Sequence, residues 1–459
     1  MNLPSRKPVL IIGAARQGQA LARFLYKQGI PVILNDKHPA SEMQGALKAL
    51  ESIPVEWVLG EHPLALLDEV DMVCVSGGVP LSLPILQQAE KLGKIITNDS
   101  QLFMQAVNAC VIGITGSSGK TTTTTLVGRI AEAGIQPPRN VWVGGNIGLP
   151  LIEYLDEIKP NDLVVLELSS FQLEQMTISP PVSAILNITP NHLDRHGTMD
   201  AYTTAKARIL DFQKPGDVAI LNREDPGSWS LLPRIKGSLV TFGFSKPAAD
   251  FDGTYLEDGK VMWRQAGREL ELLPQEEIAL RGKHNLYNVL AACAISLAAG
   301  LDSKAAHEGV AGFAGVKHRL ELVREFNGAS WYNDSIATTP ERALAAINAF
   351  DEPIVLLLGG RDKHLPWDEL AAAVHKRVDH VVLFGEAANL ISNFLGKPNP
   401  GDRLQSIDHA EKLQGALEIA RSIVKPGDVV LFSPGGTSFD EFGDFEERGE
   451  FFRKWVNQQ

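Results

Sequence analysis

The sequence predicts an α/β protein of three domains: a Rossmann-like N-terminal domain, a central P-loop-type ATPase sheet and a Rossmann-like C-terminal domain. Short β-branched runs alternate with longer helical patterns almost throughout, the rhythm of parallel sheets with crossover helices. Glycine turns follow many of these runs, where ligands of such sheets sit. The 459 residues correspond to about three domains of roughly 150.

In the first block, strand runs occupy 9–12, 32–35, 55–59, 72–76 and 94–97, with helical stretches such as 17–28 and 83–92 between them. A second block opens at 111–115 and continues through 141–143, 163–168, 184–188, 218–221 and 239–242. Its polar, turn-rich stretch 251–273 reads as a small antiparallel insertion, and a helix after Asn285 closes the block near 311–316. The last block repeats the rhythm at 354–358, 380–384 and 429–432, ending in Gly359-Gly360, Gly385 and Gly435-Gly436. The expected domains are 1–103, 104–313 and 314–459.

Composition narrows the function. A net charge of −12 argues against a nucleic-acid coat or a membrane-surface protein, which carry a basic surplus. The start, Arg6-Lys7 before an apolar run, imitates a signal peptide, but Gly13 cuts the run short and Arg16 and Arg23 follow. The apolar stretch 289–299 is about half of the ~20 residues that span a bilayer. Cys74, Cys110 and Cys293 read as core thiols of a cytoplasmic protein.

Gly116-Ser117-Ser118-Gly119-Lys120-Thr121 follows a buried strand and opens a helix at 122–133. Glycines let backbone N–H groups close on phosphate oxygens, and the helix N-terminus favours negative charge. Lys120 is placed to reach the β/γ-phosphates and Thr121 to offer its hydroxyl to Mg²⁺. The usual first glycine of this loop falls at Ile114, so the loop is a shortened variant. Glu167 ends an apolar strand, where a carboxylate would hold or orient the metal; a buried acid needs a partner, and a salt-bridged strand end is the alternative.

Gly13-Ala14-Ala15-Arg16-Gln17-Gly18 also joins strand to helix, with Asp36 ending the next strand. This is the dinucleotide fingerprint with Ala15 at its second glycine, which weakens an NAD reading. A tight turn without ligand fits as well.

Other motifs follow in order: Gly144-Gly145-Asn146-Ile147-Gly148, Glu167-Leu168-Ser169-Ser170-Phe171-Gln172-Leu173, Asn191-His192-Leu193-Asp194-Arg195, Lys206, and His284-Asn285-Leu286-Tyr287-Asn288. The last block adds His318-Arg319-Leu320-Glu321, Asn333-Asp334-Ser335, Ser433-Pro434 and Ser438-Phe439-Asp440. The ordered set resembles the Mur ligase superfamily over nearly the whole chain.

That resemblance implies ATP-driven amide formation, with D-glutamate joined to UDP-N-acetylmuramoyl-L-alanine through an acyl phosphate. It implies a mobile last domain and small-molecule partners only, with no nucleic acid, no membrane and a monomer. It assigns Gly13, Ala15, Gly18, Asp36, Ser76 and Gly77 to the UDP portion, and Asn146, Ser169 and Gln172 to the same substrate. ATP falls to Gly116, Ser117, Ser118, Gly119, Lys120, Thr121 and Thr122, with Asn285 and Asn288 at adenine, His318 and Arg319 beside the nucleotide, and Asp334 near its ribose. Asn285 and Asn288 sit one helical turn apart, although a helix cap also accounts for Asn285.

By resemblance, His192 binds metal, and Lys206 reacts with CO₂ to form a carbamate that joins Thr121 and Glu167 around Mg²⁺. From the residues alone, His192 reads as structural and Lys206 as a solvated helix lysine. Thr338, Lys363, Ser438 and Phe445 match the glutamate pocket, where a cation and hydroxyls suit a dicarboxylic acid. The family commonly places lysine after Asp-Ser, but this chain has Ile336. Either Lys363 or Arg361 compensates, or the incoming amino acid is handled differently.

Two rivals remain open at this point. One is a sister ligase: another Mur enzyme, an L-glutamate-adding variant, or a folylpolyglutamate synthase. The other is an NAD-dependent oxidoreductase using residues 13–18, against which Ala15 and the Lys120 loop both weigh.

Overall fold

The structure, a computed structural model, describes residues 7–459; Arg6 of the basic start lies outside the described residues, as does the side chain of Asp194. The first sheet comprises β1 (Val9–Ile12), β2 (Val32–Asp36), β3 (Val55–Leu59), β4 (Met72–Val75) and β5 (Ile95–Thr97), in the order β3-β2-β1-β4-β5. All its pairs are parallel. β1 and β4 are buried along their whole length, as their unbroken apolar runs require. Strand order reverses between them, so the turns after β1 and β4 flank a crevice.

The second sheet is built from β6 (Cys110–Thr115), β7 (Val141–Gly145), β8 (Leu163–Glu167), β9 (Val182–Ile185), β10 (Val218–Asn222) and β11 (Ser238–Phe242), then β12 (Asp252–Glu257), β13 (Lys260–Gln265) and β14 (Arg268–Pro274). Its order is β14-β13-β12-β11-β10-β9-β6-β8-β7. The β12–β13 and β13–β14 pairs are antiparallel, which is the expected insertion. β6 lies between β8 and β9, so the turn after it opens beside the end of β8, where Glu167 stands.

The third sheet contains β15 (Glu321–Phe326), β16 (Ala329–Asn333), β17 (Ile354–Gly359), β18 (His380–Phe384), β19 (Ser406–His409) and β20 (Val429–Gly435), ordered β15-β16-β20-β17-β18-β19. The sequence shows β17, β18 and β20, the fully apolar strands. It misses β15 and β19, which are half-exposed edge strands with mixed polarity, and the short β16.

The chain forms two compact units: residues up to Ile278 with His284–Ala311, and Ala279–Lys283 with Gly312–Gln459. The first two sheets share one unit through a common core. Leu102 and Phe103 of the helix Asp99–Ala106 join a cluster with Leu151, Ile152, Leu173 and Met176. The boundary expected at 103 therefore falls inside a packed helix. The reading of Cys110 as a core thiol is corrected: it is exposed where Cys74 and Cys293 are buried. It opens β6 before that strand enters the core.

Asp99, in the first turn of that junction helix, is buried with its Oδ1 unpaired. Burial pushes its carboxyl up to about 6, against hydrogen bonds from Ser100, its own N–H and Gln172 that lower it. The folded state thus prefers the protonated acid. Its contribution to stability is fully present below pH 4 and is lost as pH rises through 6. Asp99→Asn removes the ionisation cost and is expected to stabilise the first unit by about 2–3 kcal/mol at pH 7.5. The gain should shrink to nothing near pH 4. Thermal melts of both proteins across that range measure it; a gain independent of pH would contradict the assignment.

Candidate active site

The turn after β6 is held from below. Ser117 N–H donates to the Asn187 carbonyl (3.0 Å) and Ser118 N–H to Asn187 Oδ1 (2.9 Å), while Asn187 Nδ2 returns a bond to the Ser118 carbonyl (3.2 Å). Ser117 Oγ donates to the Thr189 carbonyl (2.9 Å) and accepts from Thr189 N–H (2.9 Å) and from the Tyr202 hydroxyl (3.1 Å). Ser117 and Ser118 therefore shape the loop. Gly119 takes φ +79°, and a Cβ on it would stand 2.2 Å from Asn288 Oδ1. Glycine is required there on both counts. Gly116 and Thr122 are buried, and Thr121 is half-buried in the first turn of the helix Lys120–Gly134. The sequence did not single out Asn187, Thr189 or Tyr202; the polar Asn187-Ile188-Thr189-Pro190 just beyond β9 was the available signal.

Two lysines converge on this loop. Lys120 Nζ donates to the carbonyls of Gly116 (2.9 Å) and Ser117 (3.3 Å). Lys206 Nζ donates to the same Gly116 carbonyl (2.9 Å) and to Thr115 Oγ1 (3.3 Å). Lys206 is 1% exposed, so it is no solvated helix lysine. Burial, and then the charge of Lys120, hold its amine well below the usual lysine range, with Glu167 opposing. A neutral amine is the form that can add CO₂.

Glu167 is buried at the end of β8. Asn146 Nδ2 donates to its Oε1 (2.9 Å), and Asn146 N–H donates to its carbonyl (2.9 Å), so Asn146 positions the acid. Glu167 Oε2 is buried without a hydrogen-bond partner. A buried carboxylate oxygen left unpaired is costly, and a cation removes that cost. The donor set therefore fits Mg²⁺ at Glu167, with the Thr121 hydroxyl a second hard oxygen. Among the described residues, no three His, Cys, Asp or Glu side chains gather into a metal site. The unmodified amine of Lys206 would offer nitrogen, which Mg²⁺ takes poorly, whereas its carbamate would offer oxygen.

His192 is exposed, with φ +53°, and its ring meets Phe171 edge-on at 5.3 Å. A left-handed histidine is uncommon and marks a constrained turn. Ser169 and Gln172 form a capping box on the short helix Ser170–Leu173. Gln172 Nε2 also donates to Ser100 Oγ (2.8 Å). Gln172 is thus held by the framework at both ends of its amide.

At the first sheet's crevice, Ser76 Oγ donates to the Gly13 carbonyl (2.9 Å). A Cβ on Gly18 would lie 1.9 Å from the same oxygen, so that glycine lets the helix Arg16–Lys27 close on its turn. Asp36 accepts from Ala14 N–H (2.8 Å) and His38 N–H (3.1 Å). The acid therefore ties down the turn, whatever ligand it meets. Ala15 is exposed at the start of the helix. A cavity of about 360 Å³ opens beside the turn after β4, lined by Ser76, Gly77, Pro80, Phe171, Glu174 and Arg195.

Asn285 and Asn288 share a face of the helix Lys283–Ala298, and Asn288 Nδ2 donates to Asn285 Oδ1 (3.0 Å). Both are buried against the phosphate loop, where Thr123 Oγ1 reaches Asn288 Oδ1 at 3.4 Å. Asn285 lies within the helix and does not cap it.

In the second unit, Asp334 is buried, accepting from Ser433 Oγ (2.7 Å) and Leu320 N–H (3.1 Å). Burial raises its carboxyl to about 6, with Arg319 among the groups that oppose this. His318, also buried, accepts at Nδ1 from Asn333 Nδ2 (2.9 Å), and burial lowers its imidazole. Lys363 Nζ lies 3.5 Å from Thr338 Oγ1 and makes no ion pair among the described residues. Burial, then Arg342, lowers its amine.

Arg361 is paired with Glu386 through two bonds of 2.8 and 2.9 Å. Arg342, absent from the sequence reading, donates to the Ile336 carbonyl (3.1 Å) and keeps a cation near that position. Ser438 is buried, and Phe445 begins the final helix. Buried Arg448 bonds the carbonyls of Ser335 (2.8 Å) and Gly436 (3.1 Å), bracing these segments.

A phosphate loop beside a buried acid and two lysines, on a chain with three α/β sheets, defines a nucleotide-binding α/β architecture. Three family models match in order: Mur ligase MurD-like, N-terminal domain, over 7–98; Mur ligase middle domain over 114–296; and Mur ligase, glutamate ligase domain, over 318–436. The chain belongs to the Mur ligase family. It is 39% identical over 454 residues to the UDP-N-acetylmuramoylalanine--D-glutamate ligase of Pelotomaculum thermopropionicum, covering 98% of each chain. It is 41% identical over 458 residues to the protein of that name from Geobacter metallireducens, covering 99% of this chain and 98% of the relative. The fold is also that of the UDP-N-acetylmuramate-alanine ligase of Thermotoga maritima (TM-score 0.58, 21% identity, 98% and 99% covered) and of MurF from Acinetobacter baumannii (0.59, 20%, 96% and 98%). Among the described residues, no helix is long and apolar enough to cross a membrane.

Proposed function

We propose that this protein joins D-glutamate to UDP-N-acetylmuramoyl-L-alanine, converting ATP to ADP and phosphate, as a cytoplasmic monomer in peptidoglycan precursor synthesis. End-to-end similarity to ligases of that name carries the reading. An L-alanyl carboxylate oxygen attacks the γ-phosphorus, the bond to the β–γ bridging oxygen breaks, and ADP leaves. The glutamate amine then attacks the acyl phosphate carbon, loses a proton, and the tetrahedral intermediate expels phosphate.

This chain's residues supply position and charge. The first N–H groups of the helix Lys120–Gly134 face the phosphates, since those of Ser117 and Ser118 are spent on Asn187. Lys120 leaves its loop carbonyls for the triphosphate and offsets the charge of two anions brought together. Mg²⁺, when bound, adds Lewis-acid charge at the phosphate oxygens. Glu167 and Thr121 are the residues to hold it, joined by His192 and a carbamate on Lys206. Lys363 and Arg342, with the hydroxyls of Thr338 and Ser438, suit a dicarboxylic amino acid.

Phosphate release with UDP-N-acetylmuramoyl-L-alanine and a panel of amino acids tests the proposal. D-glutamate is expected to give turnover and L-glutamate to give none. Turnover with L-glutamate alone would move the assignment to a sister enzyme, and no ATP hydrolysis under any condition would end it.

A further inference from the structure

Between the cavity and the phosphate loop lies a group of side chains that the reaction above does not use. His196 sits in the segment Leu193–His196 with its side chain 2% exposed. Its Nδ1 is 3.0 Å from Glu174 Oε1, and its Nε2 is 2.9 Å from Ser170 Oγ. One arrangement satisfies both partners: Nδ1–H donates to the carboxylate, and the Ser170 hydroxyl donates to Nε2. The ring lies flat on Phe171, with centroids 5.1 Å apart and planes 4° from parallel. On another side it meets the Tyr202 ring at 5.1 Å.

Each neighbour leads somewhere. Phe171 and Glu174 line the cavity, and the Arg195 guanidinium lies over the Phe171 ring at 4.9 Å. The Tyr202 hydroxyl donates to Ser117 Oγ in the phosphate loop, and its ring stands 4.8 Å from Lys206 Nζ. We propose that His196 is a positioning residue linking the cavity to the phosphate loop. It fixes Glu174 and Phe171 on one side and seats Tyr202 under Ser117 and Lys206 on the other. A ligand bearing hydroxyl or amide N–H donors, as a sugar does, engages Glu174 in the cavity; its occupancy then steadies the loop that takes ATP. Packed rings and satisfied hydrogen bonds transmit such coupling because they cannot deform independently.

The inference rests on the proposed reaction, and the test separates the two. Wild-type enzyme must first release phosphate only when ATP, the UDP-sugar peptide and D-glutamate are all present; otherwise the functional reading fails. His196→Phe keeps a ring and loses both hydrogen bonds. It is expected to raise KM for the UDP-sugar substrate about tenfold and KM for ATP about threefold, with kcat changed less than either. Tyr202→Phe should raise KM for ATP about threefold and leave the UDP-sugar KM alone. In the double variant, KM for ATP should match that of Tyr202→Phe alone. Multiplying effects on ATP, or an ATP KM indifferent to His196→Phe, would overturn the link. Should that variant fail to fold, Ser170→Ala frees the same ring edge. It should raise both KM values together about threefold, and a change in only one would refute the proposal.

Discussion

Replacing Lys120 with alanine is expected to lower kcat/KM by roughly 10²–10³-fold or more, the usual effect of removing one preorganised charge from a transition state. The lysine stands at the turn that receives the triphosphate, where it donates to the carbonyls of Gly116 and Ser117. No other mobile cation replaces it, because Lys206 is buried and its amine is held low. Affinity for the UDP-sugar peptide should stay within about twofold, as expected for separate sites. Lys120→Arg should fail nearly as badly, since a planar fork does not fit a turn shaped for a compact ammonium. Titration of the UDP substrate into each variant, beside single-turnover phosphate release, measures both halves. Equal loss of binding and turnover would mean that the loop serves the sugar nucleotide.

The second large effect concerns Lys206. A neutral amine adds CO₂ and releases a proton, exchanging a potential cation for an oxygen-donor anion. Enzyme depleted of CO₂ is expected to lose at least about tenfold of its activity, recovering on addition of bicarbonate, and ¹³C-bicarbonate should label the protein with a carbamate resonance. Burial and Lys120 favour the neutral amine. Falling pH protonates it, so the bicarbonate requirement should deepen toward acid. Lys206→Ala should be inactive with or without bicarbonate, and its labelled spectrum should lack the resonance. Full activity of CO₂-free wild type would rule the carbamate out.

Much of this site could be read locally. A strand, a glycine turn and a helix are neighbours in sequence, so the phosphate loop announces itself at 116–121. The same holds for the turn at 13–18 and the antiparallel insertion. Glu167 stood out because an acid ending an apolar strand requires a partner. Burial across the fold was not legible in that way. Lys206 looks like any helix lysine until the loop, Tyr202 and Lys120 close around it. Cys110 looks like a core thiol until the strand is seen to begin at the surface.

The amino-acid sequence by itself determined the three α/β blocks, the nucleotide loop and the family, because these depend on short-range patterns of glycine, apolar residues and charge. Tertiary structure alone decided what each polar group is free to do. Asp36 and Gln172 are spent on backbone and framework, Arg361 on Glu386, and Asn187 on shaping the loop, whereas one oxygen of Glu167 is left without a partner. The physical reason is that hydrogen-bond capacity and desolvation are set by neighbours distant in the chain, which no local pattern encodes.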